Sequence, residues 1–141
     1  METYIKGNTK YPYSLLTDNI RVSVKTNFLD EQSDTNQNLW VWAYHILIEN
    51  NRNEAIQLID RYWEITDETG HIQEVKGSGV IGLQPIIEPK KSFQYSSGTP
   101  LSKPSGFMKG EYNMICGQNK SLKIIIPTFS LDSPFKKVIL N

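Results

Sequence analysis

The segment Lys76–Pro85, KGSGVIGLQP, carries glycines at 77, 79 and 82, a G-x-G-x-x-G spelling. That spelling serves dinucleotide binding only where it follows a strand and opens a helix, whose N-terminal amides then hold a pyrophosphate. Here Pro85 and Pro89 follow closely and argue against a helix. No carboxylate stands near position 102 to bind a ribose, and no P-loop lysine follows Gly82. The glycines then mark a bulge, a bend or a close backbone approach in a β context. A third reading is a small anion nest made of successive main-chain amides at Gly77, Ser78, Gly79 and Gly82, with no cofactor.

Other chemistry is sparse. His45 lies within an apolar run and His71 after a turn, in no metal-ligand spacing. Asp67 and Glu68 are adjacent acids on a turn, a pattern of solvated residues more than of a Mg²⁺ site. Serines 96, 97, 102 and 105 lack a G-x-S-x-G setting and a histidine partner in sequence. Cys116, the single cysteine, ends an apolar strand parity and reads as buried packing. It excludes an intramolecular disulfide and a cysteine-rich zinc site. No acid–base pair, activated nucleophile or metal cluster stands out, so a non-enzymatic protein is expected.

The elements that must position these residues have a period of two. In IRVSVKTNF, Ile20, Val22 and Val24 alternate with Arg21, Ser23 and Lys25, a strand with one wet face. Leu39–Glu49 is apolar on both faces, as a central strand is. Residues 56–76 read as a hairpin about the turn DETG. SFQYSS, FMKGEYNMIC and LKIIIP add three more strands, with Pro127 ending the last or placing it at an edge. Seven or eight short strands and no convincing helix predict an all-β sandwich or barrel. Trp40, Trp42 and Trp63 are expected in its core, and the Gly/Pro-bearing segment 97–110 as a long loop suited to recognition.

The 141 residues fit one domain, and 15 basic against 15 acidic residues give no electrostatic case for nucleic acid or an anionic membrane. No run of about 18 apolar residues is present to span a bilayer. The N-terminal residues show no leader pattern, and a cytoplasmic location is expected.

Several segments taken together resemble one family. WAYHILIENN (42–51), DRYWEITDETG (60–70), the long block EVKGSGVIGLQP through GEYNM (74–114) and IPTFSL (126–131) match its motifs in order and spacing. This is the ApaG family, or DUF525 domain, with the match covering about residues 18–132. Residues 1–17 are then an N-terminal extension and 133–141 a C-terminal tail, expected to dock on the domain or on a second copy. The resemblance implies an immunoglobulin-like, fibronectin type III-like β-sandwich of about seven to eight antiparallel strands. It implies a protein-binding module linked to Co²⁺/Mg²⁺ resistance or efflux, since relatives carry the domain within an F-box protein and a DNA-polymerase-interacting protein. It also implies a glycine motif suggested to bind pyrophosphate, at Gly77, Gly79 and Gly82. The family pattern often has histidine where this chain has Tyr62, an acid at Leu83 and cysteine at Thr99, so direct metal coordination is less attractive. The expected partner is an unidentified protein, with a homodimer through an edge strand as a further expectation. The alternative function is a small-anion (pyrophosphate or nucleotide phosphate) binding protein that uses the Gly77–Gly82 loop.

Overall fold

The structure, a computed structural model, describes residues 3–133. The expected docking tail therefore lies, from residue 134 on, outside the described residues. Among the described residues eleven strands form: β1 Tyr4–Lys6, β2 Thr9–Tyr11, β3 Tyr13–Thr17, β4 Ile20–Phe28, β5 Trp40–Asn50, β6 Ile56–Asp67, β7 Ile72–Ser78, β8 Ile86–Ile87, β9 Ser92–Leu101, β10 Ser105–Cys116 and β11 Lys120–Asp132. One sheet has the order β3-β4-β5-β9. The other has the order β11-β10-β6-β7, with β8 also paired to β6. All pairings are antiparallel. The only helical turns described are two short 3₁₀ segments between β4 and β5.

The two sheets pack face to face as an immunoglobulin-like β-sandwich, and the period-two alternation is what makes this possible. Ile20, Val22 and Val24 of β4 and Trp42, Tyr44, Ile46 and Ile48 of β5 face Leu58, Trp63 and Ile65 of β6 and Tyr112 and Met114 of β10 in one apolar core. Tyr44, Trp63 and Phe129 pack at 5.3 to 6.0 Å between ring centroids, mostly edge-on. All three tryptophans are buried.

The face of β4 expected to be wet is partly covered. Residues 4–17, read from sequence as an extension, supply a hairpin (β1–β2) and the edge strand β3. Tyr4 and Lys6 of the hairpin reach Glu49 on the outer face of the first sheet, at 3.2 and 2.9 Å. Arg21 stacks over the Tyr4 ring, and Ser23 is buried against Ser14.

The long recognition loop expected at 97–110 does not form. Residues 97–101 continue β9 and 105–110 begin β10, leaving three residues to cross between sheets. Pro100 is tolerated because β9 is an edge strand that needs no further donor there. Pro127 likewise lies on an edge strand, β11, at a register shift opposite Met108 and Gly110.

Candidate functional site

The glycine segment interrupts an edge strand. β7 pairs with Asp60–Thr66 of β6 and β8 with Ile56 and Gln57, so both run along the same side of β6. Between them, residues 79–85 leave the ladder as a small excursion. Val80 and Leu83 exchange main-chain hydrogen bonds of 2.8 and 2.9 Å, and the central residues Ile81 and Gly82 have φ of 45° and 78°. Two positive values identify a primed hairpin turn, whose twist suits the flanking strand. Ile81 is a β-branched residue in the left-handed region, an uncommon conformation that surrounding bonds must hold.

Those bonds are present. Gly79 N–H and the Gln84 side-chain amide both donate to the Ile59 carbonyl, Leu58 N–H donates to Pro85, and the Gln57 side chain donates to the Gln84 carbonyl. Gly79 has φ of 58°, and a Cβ on it would overlap the Leu83 carbonyl oxygen. Gly77 lies over the Arg61 side chain, where a Cβ would come 2.9 Å from the guanidinium. Arg61 Nη1 donates to the carbonyls of Ser78 and Gly79 at 3.0 and 2.8 Å.

The four residues expected to form an anion nest are therefore distributed as follows. Gly77 and Ser78 belong to the edge strand, Gly79 sits at its break and Gly82 at the turn. The amides of Gly79, Val80 and Leu83 are committed to main-chain acceptors, and no helix follows. The cation beside the motif is Arg61, and among the described residues no carboxylate lies within ion-pair distance of it. Sequence reasoning missed Arg61. Its signal was a cation two residues before Trp63, on the parity that faces the core.

An open cleft of about 660 Å³ adjoins the motif, lined among others by Asp60, Arg61, Tyr62, Glu74, Lys76 and Glu111. Two cations face three carboxylates there, so the cleft has no strong bias toward one charge. Tyr62 donates to Glu74 at 2.8 Å, and this bond to a carboxylate raises the phenol to about 12.

The excursion carries an apolar tip that sequence reading did not identify. Ile81 and Leu83 expose 57% and 51% of their surface, and Ile86, which opens β8 just beyond the excursion, exposes 61%. Grouped apolar exposure on one rigid projection is the kind of surface that marks an interaction site.

His45 sits between Asn27 and Ser96 on an open sheet face, with Nε2 3.1 Å from Asn27 Oδ1 and Nδ1 2.6 Å from Ser96 Oγ. The Asn27 oxygen only accepts, so Nε2 carries the proton and Ser96 donates to Nδ1. Burial, then nearby Lys25, lowers the pKa of this imidazole. The histidine partner that sequence did not indicate for Ser96 is thus a register neighbour across β5 and β9. His71 is exposed at the start of β7. Asp67 accepts from Thr69 and from His71 N–H and closes a turn. Cys116 is buried near Glu54 and Arg52. Among the described residues, no three His, Cys, Asp or Glu side chains gather where they could hold a metal ion. No helix of the described residues is long and apolar enough to cross a membrane.

Known proteins agree with this architecture. The ApaG domain family (DUF525) matches residues 30–116. Protein ApaG of Parvibaculum lavamentivorans is 47% identical over 129 residues, which is 92% of this chain and 99% of that protein. Protein ApaG of Rhodospirillum centenum is 48% identical over 122 residues, 86% of this chain and 94% of the relative. The crystal structure of a Bordetella pertussis protein described as ApaA superposes with a TM-score of 0.80 at 37% identity, covering 89% of this chain and 98% of that one. With those motifs, that sandwich and matches that run nearly end to end, the chain belongs to the ApaG (DUF525) family.

Proposed function

We propose that this chain is a non-enzymatic protein-binding module whose docking surface is the tip of the glycine excursion. The observation that carries the reading is the exposure of Ile81 and Leu83 on a turn pinned to β6, with Ile86 exposed beside it at the start of β8. A rigid apolar projection loses little entropy on docking, so its buried surface converts efficiently into affinity. The glycines supply that projection, and Gly79 and Gly82 are there for conformation more than for a ligand. The partner is a protein, not nucleic acid or a membrane, and the setting is cytoplasmic. A link to Co²⁺/Mg²⁺ efflux, which the family resemblance implies, then runs through that partner. The test is photo-crosslinking in cells from a benzoylphenylalanine at position 83. A discrete crosslinked protein, lost when Ile81→Ser and Ile86→Ser are added without a change in melting temperature, supports the reading. No discrete product, or one indifferent to those changes, overturns it.

A second reading is small-anion binding, favoured by one observation: Arg61 lies beside Gly77 with no carboxylate partner. Pyrophosphate, added during a backbone amide NMR titration, should then give saturable shifts around residues 77–82 that Arg61→Gln abolishes. Shifts that stay linear to high concentration would reject it.

A further inference from the structure

β7 is an open edge with a defined set of outward-facing main-chain groups. The pairs Gly79–Ile59 and Asp67–His71 are hydrogen-bonded at the two ends of the β6–β7 ladder. Bonded and non-bonded pairs alternate along an antiparallel ladder. Gln73, Val75 and Gly77 therefore bond to β6, while Ile72, Glu74, Lys76 and Ser78 turn their N–H and C=O groups outward, the Ser78 carbonyl also accepting from Arg61 Nη1. Among the described residues no strand pairs with β7 on that side. The edge is bounded by the Asp67–His71 turn and by the excursion that begins at Gly79. It carries neither proline nor a bulge to discourage pairing. Ile72 is also exposed on it, with no partner in the core.

We propose that β7 pairs with β7 of a second copy of this chain, antiparallel about a two-fold axis through Val75. In that register Glu74 stands opposite Lys76 of the second copy, and Lys76 opposite its Glu74. Ile72 stands opposite Ser78. All four are the residues that own the outward groups, so each pair is a hydrogen-bonded pair of the new ladder. Val75 meets Val75 of the second copy at a non-bonded position, where side chains approach most closely. Moving the axis to Glu74 or to Lys76 puts that residue against its own copy, a like-charge pair. Moving it by half a residue sets outward groups against committed ones. The charges and the hydrogen bonds thus select the same register, and a two-fold axis closes the assembly at two copies. The dimer goes beyond the protein-binding reading: it uses the main chain of β7 and leaves the apolar tip to another partner.

The test is sedimentation of the full chain over a concentration series. The wild type self-associates reversibly. Glu74→Lys alone, or Lys76→Glu alone, sets like charges across both sides of the axis and weakens association about tenfold or more. An equimolar mixture of the two single variants regains association, because every cross-axis pair is then of opposite sign. The double variant Glu74→Lys/Lys76→Glu regains it by itself. Circular dichroism melts confirm that each variant is folded. A wild type that is monomeric throughout, or single variants that associate as it does, overturns the proposal. A monomer whose β7 amides become protected only on addition of an extended peptide would assign the edge to a segment of another protein. Ile81→Ser/Ile86→Ser leaves the dimer intact, so failure of this proposal and failure of the tip reading are separable.

Discussion

Gly79→Ala and Gly82→Ala form a matched pair that separates conformation from space. Both glycines have positive φ, 58° and 78°, so each alanine suffers the left-handed penalty of roughly 1–2 kcal/mol. Nothing lies within 4 Å of a Cβ on Gly82, so that penalty is its whole cost. A Cβ on Gly79 overlaps the Leu83 carbonyl oxygen and lies 2.8 Å from its carbon. Relief requires that carbonyl to swing away, which breaks the bond it accepts from Val80 N–H at a net ~0.5–1.5 kcal/mol. The sum for Gly79→Ala is about 1.5–3.5 kcal/mol. With an unfolding entropy of about 2.1 cal/mol/K per residue, a chain of 141 residues loses about 3 °C of Tm per kcal/mol. Gly79→Ala should therefore melt about 5–12 °C below wild type and Gly82→Ala about 3–7 °C below. Differential scanning calorimetry on purified proteins reads both. Equal melting temperatures for the two alanines would refute the close-approach argument and return Gly79 to a role outside the fold.

Three further outcomes follow from Tyr95, Tyr112, His45 and Cys116. The hydroxyls of Tyr95 and Tyr112 hydrogen-bond to each other inside the core. Tyr112→Phe alone strands the Tyr95 hydroxyl and should cost ~1–3 kcal/mol, more than Tyr95→Phe/Tyr112→Phe, which removes both partners. Chemical denaturation decides the order, and a double variant worse than the single contradicts it. His45 is held below its usual pKa, so the folded state binds fewer protons than the unfolded chain as pH falls below about 6.5. Its stability contribution is complete above that pH and declines as pH falls through the folded-state pKa. His45→Asn should flatten the Tm-against-pH curve in that window, and an unaltered slope would show that His45 does not contribute. Burial, then a hydrogen bond to Glu54, raises the Cys116 thiol. Native protein at pH 8 should react with a thiol reagent far more slowly than unfolded protein, and equal rates would place the thiol in solvent.

The sheet alternation was readable wherever a strand buried one clean face, as in Met108–Cys116. The 56–76 hairpin was readable from DETG, because turn chemistry is local. The segment 97–110 was misread for the same reason: Gly98, Pro100 and Gly106 look like loop residues until the edge position of β9 is known. The short strands β1, β2, β3 and β8 hold too few residues to establish a period. Arg61 beneath Gly77, and Ser96 beside His45, depend on strand register, which no local pattern specifies. The apolar tip was written in VIGL, yet whether Ile81 and Leu83 face the core or solvent is decided by the turn at Ile81–Gly82.

Tyr13 and the last strand meet across almost the whole chain. The Tyr13 hydroxyl accepts from Ser130 N–H, 117 positions away, and its ring packs 6.1 Å from that of Phe129. During synthesis, everything from β1 to β10 must wait for β11 before this seam can close. Such distant pairings make folding slow, on the millisecond-to-second scale, and leave strand edges open meanwhile. A nascent chain stalled before residue 120 would leave the β10 edge and the Tyr13 seam open to chaperones, and emergence of β11, not early collapse, would time the appearance of the native sandwich.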